Sequence, residues 1–216
     1  LLMLPEWMYA RASDGLYVNL FIGSTVNIPR VAGTDVQMVQ KTDYPWRGAV
    51  AFTVNPAAPK KFTIWLRIPR HDVSPLYHDA PDVEGFESLR VNGLAISSSI
   101  ENGYAAITRE WHAGDRIDIT IPMKVQRVTA DSRVVADQGR VALRYGPLIY
   151  NVEAVDQNPH GTLSSDAPLS VEWDPALLGG VMTIRGKYAD GSQLEAIPNY
   201  SRNNRGGESL VWIKNE

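Results

Sequence analysis

The sequence has no cysteine among its 216 residues. That excludes a disulfide framework, a thiolate nucleophile, a redox pair and any zinc site built on sulfur ligands. Charge of one sign is also lacking, since 21 basic and 24 acidic residues leave a formal net charge of -3. A nucleic-acid binder would show a basic face, and none is expected here. No apolar run approaches the ~20 residues of a membrane-spanning helix, so no membrane partner is expected either. No basic stretch precedes an apolar one in the manner of a secretory leader. The chain opens Leu1-Leu2-Met3 without an initiator methionine, which reads as a processed or excised piece. Histidine is scarce: His71, His78, His112 and His160 complete the set. No two of them have the i, i+4 spacing of a helical metal site, and no metal ligand is assigned.

What remains is ample apolar material, 44% of the chain, enough for a globular core. Leu1, Leu2, Leu4 and Met8 recur at helical spacing around Pro5, predicting an early helical turn. After Ser13-Asp14-Gly15 the period becomes two. Leu16, Val18, Leu20 and Ile22 alternate with Tyr17, Asn19 and Phe21, predicting a strand buried on both faces. Val50 to Val54, Phe62 to Ile68, Tyr104 to Thr108 and Ile117 to Ile121 repeat the alternation. Asn92-Gly93 between Ser88–Val91 and Leu94–Ser97 is a strong hairpin signal.

A second set begins near residue 126. Val141 to Tyr145 and Leu148 to Val152 flank Gly146-Pro147. The stretch Asp156 to Asp174 reads as a long polar excursion. Val181–Arg185, Leu194–Pro198 and Leu210–Ile213 read as strands, with the polar loop Ser201–Gly207 before the last. Strands at this spacing indicate antiparallel all-β architecture. The reading is two jelly-roll-like β-sandwich domains after a short N-terminal helix remnant; a single larger sandwich is the competitor. The boundaries are 1–12, 13–125 and 126–216, the last strand being free to return to the first sandwich.

Catalytic chemistry is hard to place. Asp43, Asp115, Asp131, Asp137, Glu153 and Asp156 all sit at or beside turns. Glycosidases need two carboxyl groups flanking one bond, and no spacing here demonstrates such a pair; turn capping and solvated carboxylates are the favoured reading of these residues. No Gly-x-Ser-x-Gly elbow or phosphate-cradling glycine loop occurs. No catalytic residue is therefore assigned. Aromatic side chains offer more. Tyr44, Trp46, Trp111 and Tyr200 are candidates either for stacking on sugar C–H faces or for a domain interface, though large aromatics also fill sandwich cores. In Tyr44-Pro45-Trp46, proline restrains the residue before it and holds two rings beside Arg47.

A resemblance emerges from ordered motifs. Gly15-Leu16-Tyr17-Val18-Asn19-Leu20-Phe21-Ile22-Gly23-Ser24 is followed by Thr42-Asp43-Tyr44-Pro45-Trp46-x-Gly48, then Leu66-Arg67-Ile68-Pro69 and Val91-Asn92-Gly93. Gly103-Tyr104, Trp111-x-x-Gly114-Asp115 and Pro122-Met123 come next. Gly139 to Tyr150, Ala196-Ile197-Pro198-x-Tyr200 and Asn204-Arg205-Gly206 complete the order. Together they resemble glycoside hydrolase family 127, the β-L-arabinofuranosidase-like proteins. Arg47, Tyr145 and Asn199 depart from the commonest residues of that family.

The resemblance implies a parent with an N-terminal (α/α)6 barrel that carries the chemistry, followed by β-sandwich domains. In that family the nucleophile is a cysteine held in a zinc site of three cysteines and a glutamate, with a second glutamate as acid/base. None of those positions transfers to a chain without cysteine. The implied cofactor, zinc, then belongs to the catalytic domain and not to this chain, and residues 1–12 would be the tail of the last barrel helix. The expected function is a non-catalytic C-terminal region that packs on and stabilises its own barrel. The alternative is a carbohydrate-binding module for plant polysaccharide or arabinose-containing glycans. If barrel packing is the role, the isolated piece is expected to expose an apolar patch near Leu1 to Met8 and Tyr44-Trp46, which favours self-association. At the level of the family, the parent is expected in the periplasm or secreted, from a polysaccharide-degrading bacterium.

Overall fold

The computed structural model describes residues 3–69 and 74–216. Leu1, Leu2 and His71 lie outside the described residues. Among the described residues the fold is all-β apart from one short helix, Leu4–Met8, and two 3-10 turns. Two compact units form: one holds the chain up to Pro69 together with Glu84–Pro122, the other the segment ending at Val83 together with Met123–Glu216.

The first unit is a sandwich of two sheets. One runs in the order Tyr9–Arg11, Gly15–Val18, Lys60–Arg67, Tyr104–Trp111, Ser99–Glu101. The other runs Ser24–Val31, Thr34–Thr42, Ala49–Pro56, Asp115–Thr120, Ser88–Val91, Leu94–Ala95. Alternation explains the packing. In Ala49–Pro56 every second residue is buried, because successive side chains of a strand point to opposite faces. Leu16, Ile64, Leu66, Ile107 and Trp111 from one sheet share a core cluster with Met38, Phe52, Val54, Ile117 and Ile119 from the other. The central strand Lys60–Arg67 is buried on both faces over five consecutive residues. Trp65 stacks on Tyr17 at 4.5 Å between ring centroids.

Three hairpin turns are built on left-handed backbone. Asn92-Gly93 and Asn102-Gly103 both hold two successive positive φ angles, the conformation that matches the twist of the flanking strands. Ala32-Gly33 does the same with an alanine at φ 47°.

That third turn joins two strands, Ser24–Val31 and Thr34–Thr42, in a stretch left unassigned by the sequence reading. Alanine does not advertise a left-handed turn, and the pairing is interrupted by a register shift between Ile28 and Val31. The N-terminal reading changes too. The helix stops at Met8, and Tyr9–Arg11 is a strand paired with Leu16–Val18. The strand expected to run from Leu16 to Ile22 ends at Val18.

The second unit is one ten-stranded sheet curling round its own core. Its main path is Thr162–Leu163, Ile213–Asn215, Arg140–Tyr145, Leu148–Glu153, Gln193–Pro198, Val181–Lys187, Ser170–Asp174. Val125–Ala130 pairs with Arg140–Tyr145 and with Tyr77–Ala80, a strand contributed from well upstream. The core gathers Val141, Leu143, Tyr150, Val152, Leu163, Ile184, Leu194 and Ile213. Two corrections follow. The excursion Asp156 to Asp174 contains the strands Thr162–Leu163 and Ser170–Asp174. The expected final strand splits into Ser209–Leu210, paired with Leu148–Glu153, and Ile213–Asn215, paired with Arg140–Tyr145. Both pairings lie inside the second unit, so the last strand does not return to the first.

Candidate docking face

The short helix of the first unit presents an apolar surface. Pro5 occupies its first turn, where a missing N–H costs nothing. Met8 is buried, while Met3, Leu4 and Trp7 are exposed, Trp7 by 66%. The Met8 carbonyl accepts a hydrogen bond from the Asn19 N–H at 2.8 Å. The Asn19 amide donates to the Trp7 carbonyl at 3.1 Å, and the Tyr104 hydroxyl donates to Asn19 Oδ1 at 2.9 Å. Asn19 thereby supplies partners to a helix end that would otherwise leave its carbonyls unpaired. Tyr9, the next residue, shares a 3.2 Å hydroxyl contact with Ser24. Burial raises its phenol pKa, which the Ser24 contact only partly offsets.

Asn19 opens the irregular segment Asn19–Gly23. The buried Gln40 amide donates to the carbonyls of Leu20 and Ile22. Ile22 is exposed, whereas Phe21 is buried and meets Tyr44 edge-on at 6.0 Å. Tyr44 and Trp46 ride a turn closed by the Trp46 and Arg47 N–H groups, both bonded to the Asp43 carbonyl. Thr42 Oγ1 accepts from the Tyr44 N–H and donates to the Ala49 carbonyl. The Tyr44–Pro45 peptide is cis. Burial pushes the Tyr44 phenol up to about 12 despite nearby Arg67. Trp46 is 38% exposed. Ile22 is thus exposed in the segment whose Asn19 holds the Trp7 carbonyl, and Trp46 is exposed on the turn whose Tyr44 meets Phe21 of that segment.

The four candidate aromatics separate. Tyr44 and Trp46 share one turn. Trp111 is fully buried, its indole N–H donating to the Phe62 carbonyl at 3.0 Å and Arg109 lying 5.3 Å over its ring. It therefore belongs to the core and presents no face to a sugar. Tyr200 is exposed on the 3-10 turn Asn199–Ser201 of the second unit.

The turn carboxylates are engaged structurally. Asp115 Oδ2 accepts from the His112 N–H at 2.9 Å and its Oδ1 from the Asn92 amide at 2.8 Å. Burial works to raise the Asp115 carboxyl, but these bonds together with Arg109 and His112 outweigh it and hold the pKa below the ordinary value. Asp131 bonds Arg133. Glu153 carries the arrangement that sequence reading missed. It is buried, accepts from the Asn203 N–H at 2.7 Å, and pairs with Arg205 at 2.8 Å. Arg205 also forks onto Asp156. The sequence held one trace of this, an arginine in a polar loop with no stated partner. The exposed His112 and His160 sit beside Glu110 and Glu208. No group of three or more His, Cys, Asp or Glu side chains suited to a metal ion occurs among the described residues. No helix among them is long and apolar enough to cross a membrane.

Comparison with known proteins places this architecture. The family model described as "Beta-L-arabinofuranosidase, GH127 middle domain" matches residues 15–123, and the "Glycoside hydrolase family 127 C-terminal domain" matches residues 125–214. The non-reducing end β-L-arabinofuranosidase of Bifidobacterium longum subsp. longum is 34% identical over 195 residues, covering 83% of this chain and 27% of that protein. A solved GH127 β-L-arabinofuranosidase from Geobacillus stearothermophilus T6 superposes with a TM-score of 0.82 at 32% identity, over 98% of this chain and 35% of its own. A second solved GH127 β-arabinofuranosidase gives 0.86 at 30% identity, over 99% and 37%. The chain thus spans about a third of the length of these relatives. It belongs to glycoside hydrolase family 127, of which it carries the middle and C-terminal domains.

Proposed function

We propose that this chain is the accessory region of a β-L-arabinofuranosidase-like hydrolase and that it packs on and stabilises the catalytic barrel. The observation that carries the reading is the Leu4–Met8 helix: Trp7 stays 66% exposed although its own carbonyl and that of Met8 are tied to Asn19. An exposed indole gains by burial against a partner, roughly 25 cal/mol for each Å² of apolar surface covered. Buried tryptophan anchors carry much of the affinity of protein interfaces. Ile22, within Asn19–Gly23, and Trp46, on the turn whose Tyr44 packs edge-on against Phe21, extend the same role. Bond cleavage then belongs to the barrel, whose zinc and thiolate this chain does not supply. Hydrolysis of an aryl β-L-arabinofuranoside by residues 1–216 tests the assignment of roles. The expected result is no turnover above buffer; robust turnover by the chain alone would place the chemistry here.

A further inference from the structure

On the outer face of the second sheet of the first unit, three amide side chains stand in one row. Register puts Asn27 opposite Gln37 and Gln37 opposite Asn55. The Gly114 N–H donates to Asn55 Oδ1 at 2.9 Å, Asn55 Nδ2 to Gln37 Oε1 at 3.4 Å, and Gln37 Nε2 to Asn27 Oδ1 at 3.2 Å. The dipoles therefore run in one direction, anchored on backbone at one end. Among the described residues neither amide proton of Asn27 has a partner, and each inner amide keeps one N–H and a lone pair. Beside the row lies an open depression of about 490 Å³, flanked by Pro29 and Ala57, within the roughly 300–1,000 Å³ of small-ligand sites.

Sheet stability alone does not call for this row. Asn is depleted in strands, where Thr or Val would pack better. Asp35, which lines the depression, accepts the Arg30 N–H at 2.9 Å. The row itself holds donors and acceptors in alternation and no formal charge.

We propose that Asn27, Gln37 and Asn55 form a binding site for a neutral saccharide. Vicinal hydroxyls are donor and acceptor at once and match planar amides. The C–H face of the sugar lies against Pro29 and Ala57. At the strand spacing of ~4.8 Å the row is roughly 10 Å long, which fits a short oligosaccharide better than one ring. The amides are locked before the ligand arrives, so little side-chain entropy remains to be lost.

Calorimetric titration of residues 1–216 with neutral arabino-oligosaccharides tests the proposal, with inorganic phosphate as the charged comparison. Saturable binding of the oligosaccharide and none of phosphate is expected. Gln37→Leu and Asn27→Ala, both at exposed positions, should keep the thermal midpoint and weaken binding by about tenfold or more. No heat up to about 10 mM, where even a roughly millimolar site fills, would overturn it. So would binding that Gln37→Leu leaves unchanged, or preferential binding of phosphate.

Discussion

The guanidinium of Arg205 stands 2.8 Å from the carboxylate of Glu153, which has no exposed surface and lies 52 positions earlier in the chain. The second Glu153 oxygen takes the Asn203 N–H, so this one buried group holds the polar loop after Ser201 onto the strand Leu148–Glu153. Removing the cation leaves a carboxylate unpaired in a low-dielectric site, which costs about 3–5 kcal/mol. Arg205→Ala should accordingly lower stability in urea by that order. Glu153→Gln, which keeps an acceptor for Asn203, should lower it less. Near-equal losses below about 1 kcal/mol would show that the pair is not what holds the loop.

Trp111 and Trp46 should respond oppositely to truncation. Trp111→Ala empties a core site and loses the bond to the Phe62 carbonyl, for about 3–5 kcal/mol. Trp46→Ala, at a ring that is 38% exposed, should cost less stability than Trp111→Ala while weakening any association through the docking face. Thermal melts of the two variants followed by circular dichroism separate these outcomes.

Gly15 is constrained by contact. A Cβ there would lie 2.0 Å from the Thr63 carbonyl oxygen and 2.7 Å from the Trp65 ring. The strand Gly15–Val18 must approach its parallel neighbour Lys60–Arg67 this closely to pair with it. Gly15→Ala should cost about 1–3 kcal/mol, as for other overpacked sites. A wild-type urea midpoint in this variant would contradict the register.

Stability should fall at both ends of the pH range. Asp115, Asp131 and Asp190 are held below the ordinary carboxylate value. A depressed folded pKa contributes stability that is present above the unfolded value, about 3.9, and lost as pH falls through the folded one. At the alkaline end, burial pushes Tyr44 and Tyr188 up to about 12. Their neutral forms favour the fold below about pH 10, and that contribution is lost as pH rises toward 12. Urea midpoints at neutral pH, near pH 3 and near pH 11 check both limbs; a flat acid limb would contradict the Asp115 bonding.

The legible part of the fold followed strong local signals. Asn92-Gly93 gave a hairpin because both residues accept positive φ, and Phe62 to Ile68 gave a central strand through its alternation. The strands Ser24–Val31 and Thr34–Thr42 were illegible because Ala32-Gly33 is a weak turn signal and because Gln40 is buried where the pattern reads polar. Thr162–Leu163 and Ser170–Asp174 were hidden by Asn, Pro, Ser and Asp in a segment ordered by tertiary contacts such as Arg127 on the Ser164 and Ala167 carbonyls. Of the candidate site, Tyr44 and Trp46 were legible as a rigid turn. Trp111 could not be told from a surface ring, since burial depends on pairing across 49 residues. Glu153 and Arg205 were readable only as loop charges, because nothing local marks a partner 52 positions away.

The central claim is that this region works by docking onto a catalytic domain through the face around Trp7. Sedimentation velocity of residues 1–216 mixed with the separately produced catalytic barrel tests it most directly, alongside the same mixture with Trp7→Ser. The account predicts a one-to-one complex that the substitution weakens by about tenfold or more. Two species sedimenting independently, or a complex indifferent to Trp7→Ser, would contradict it.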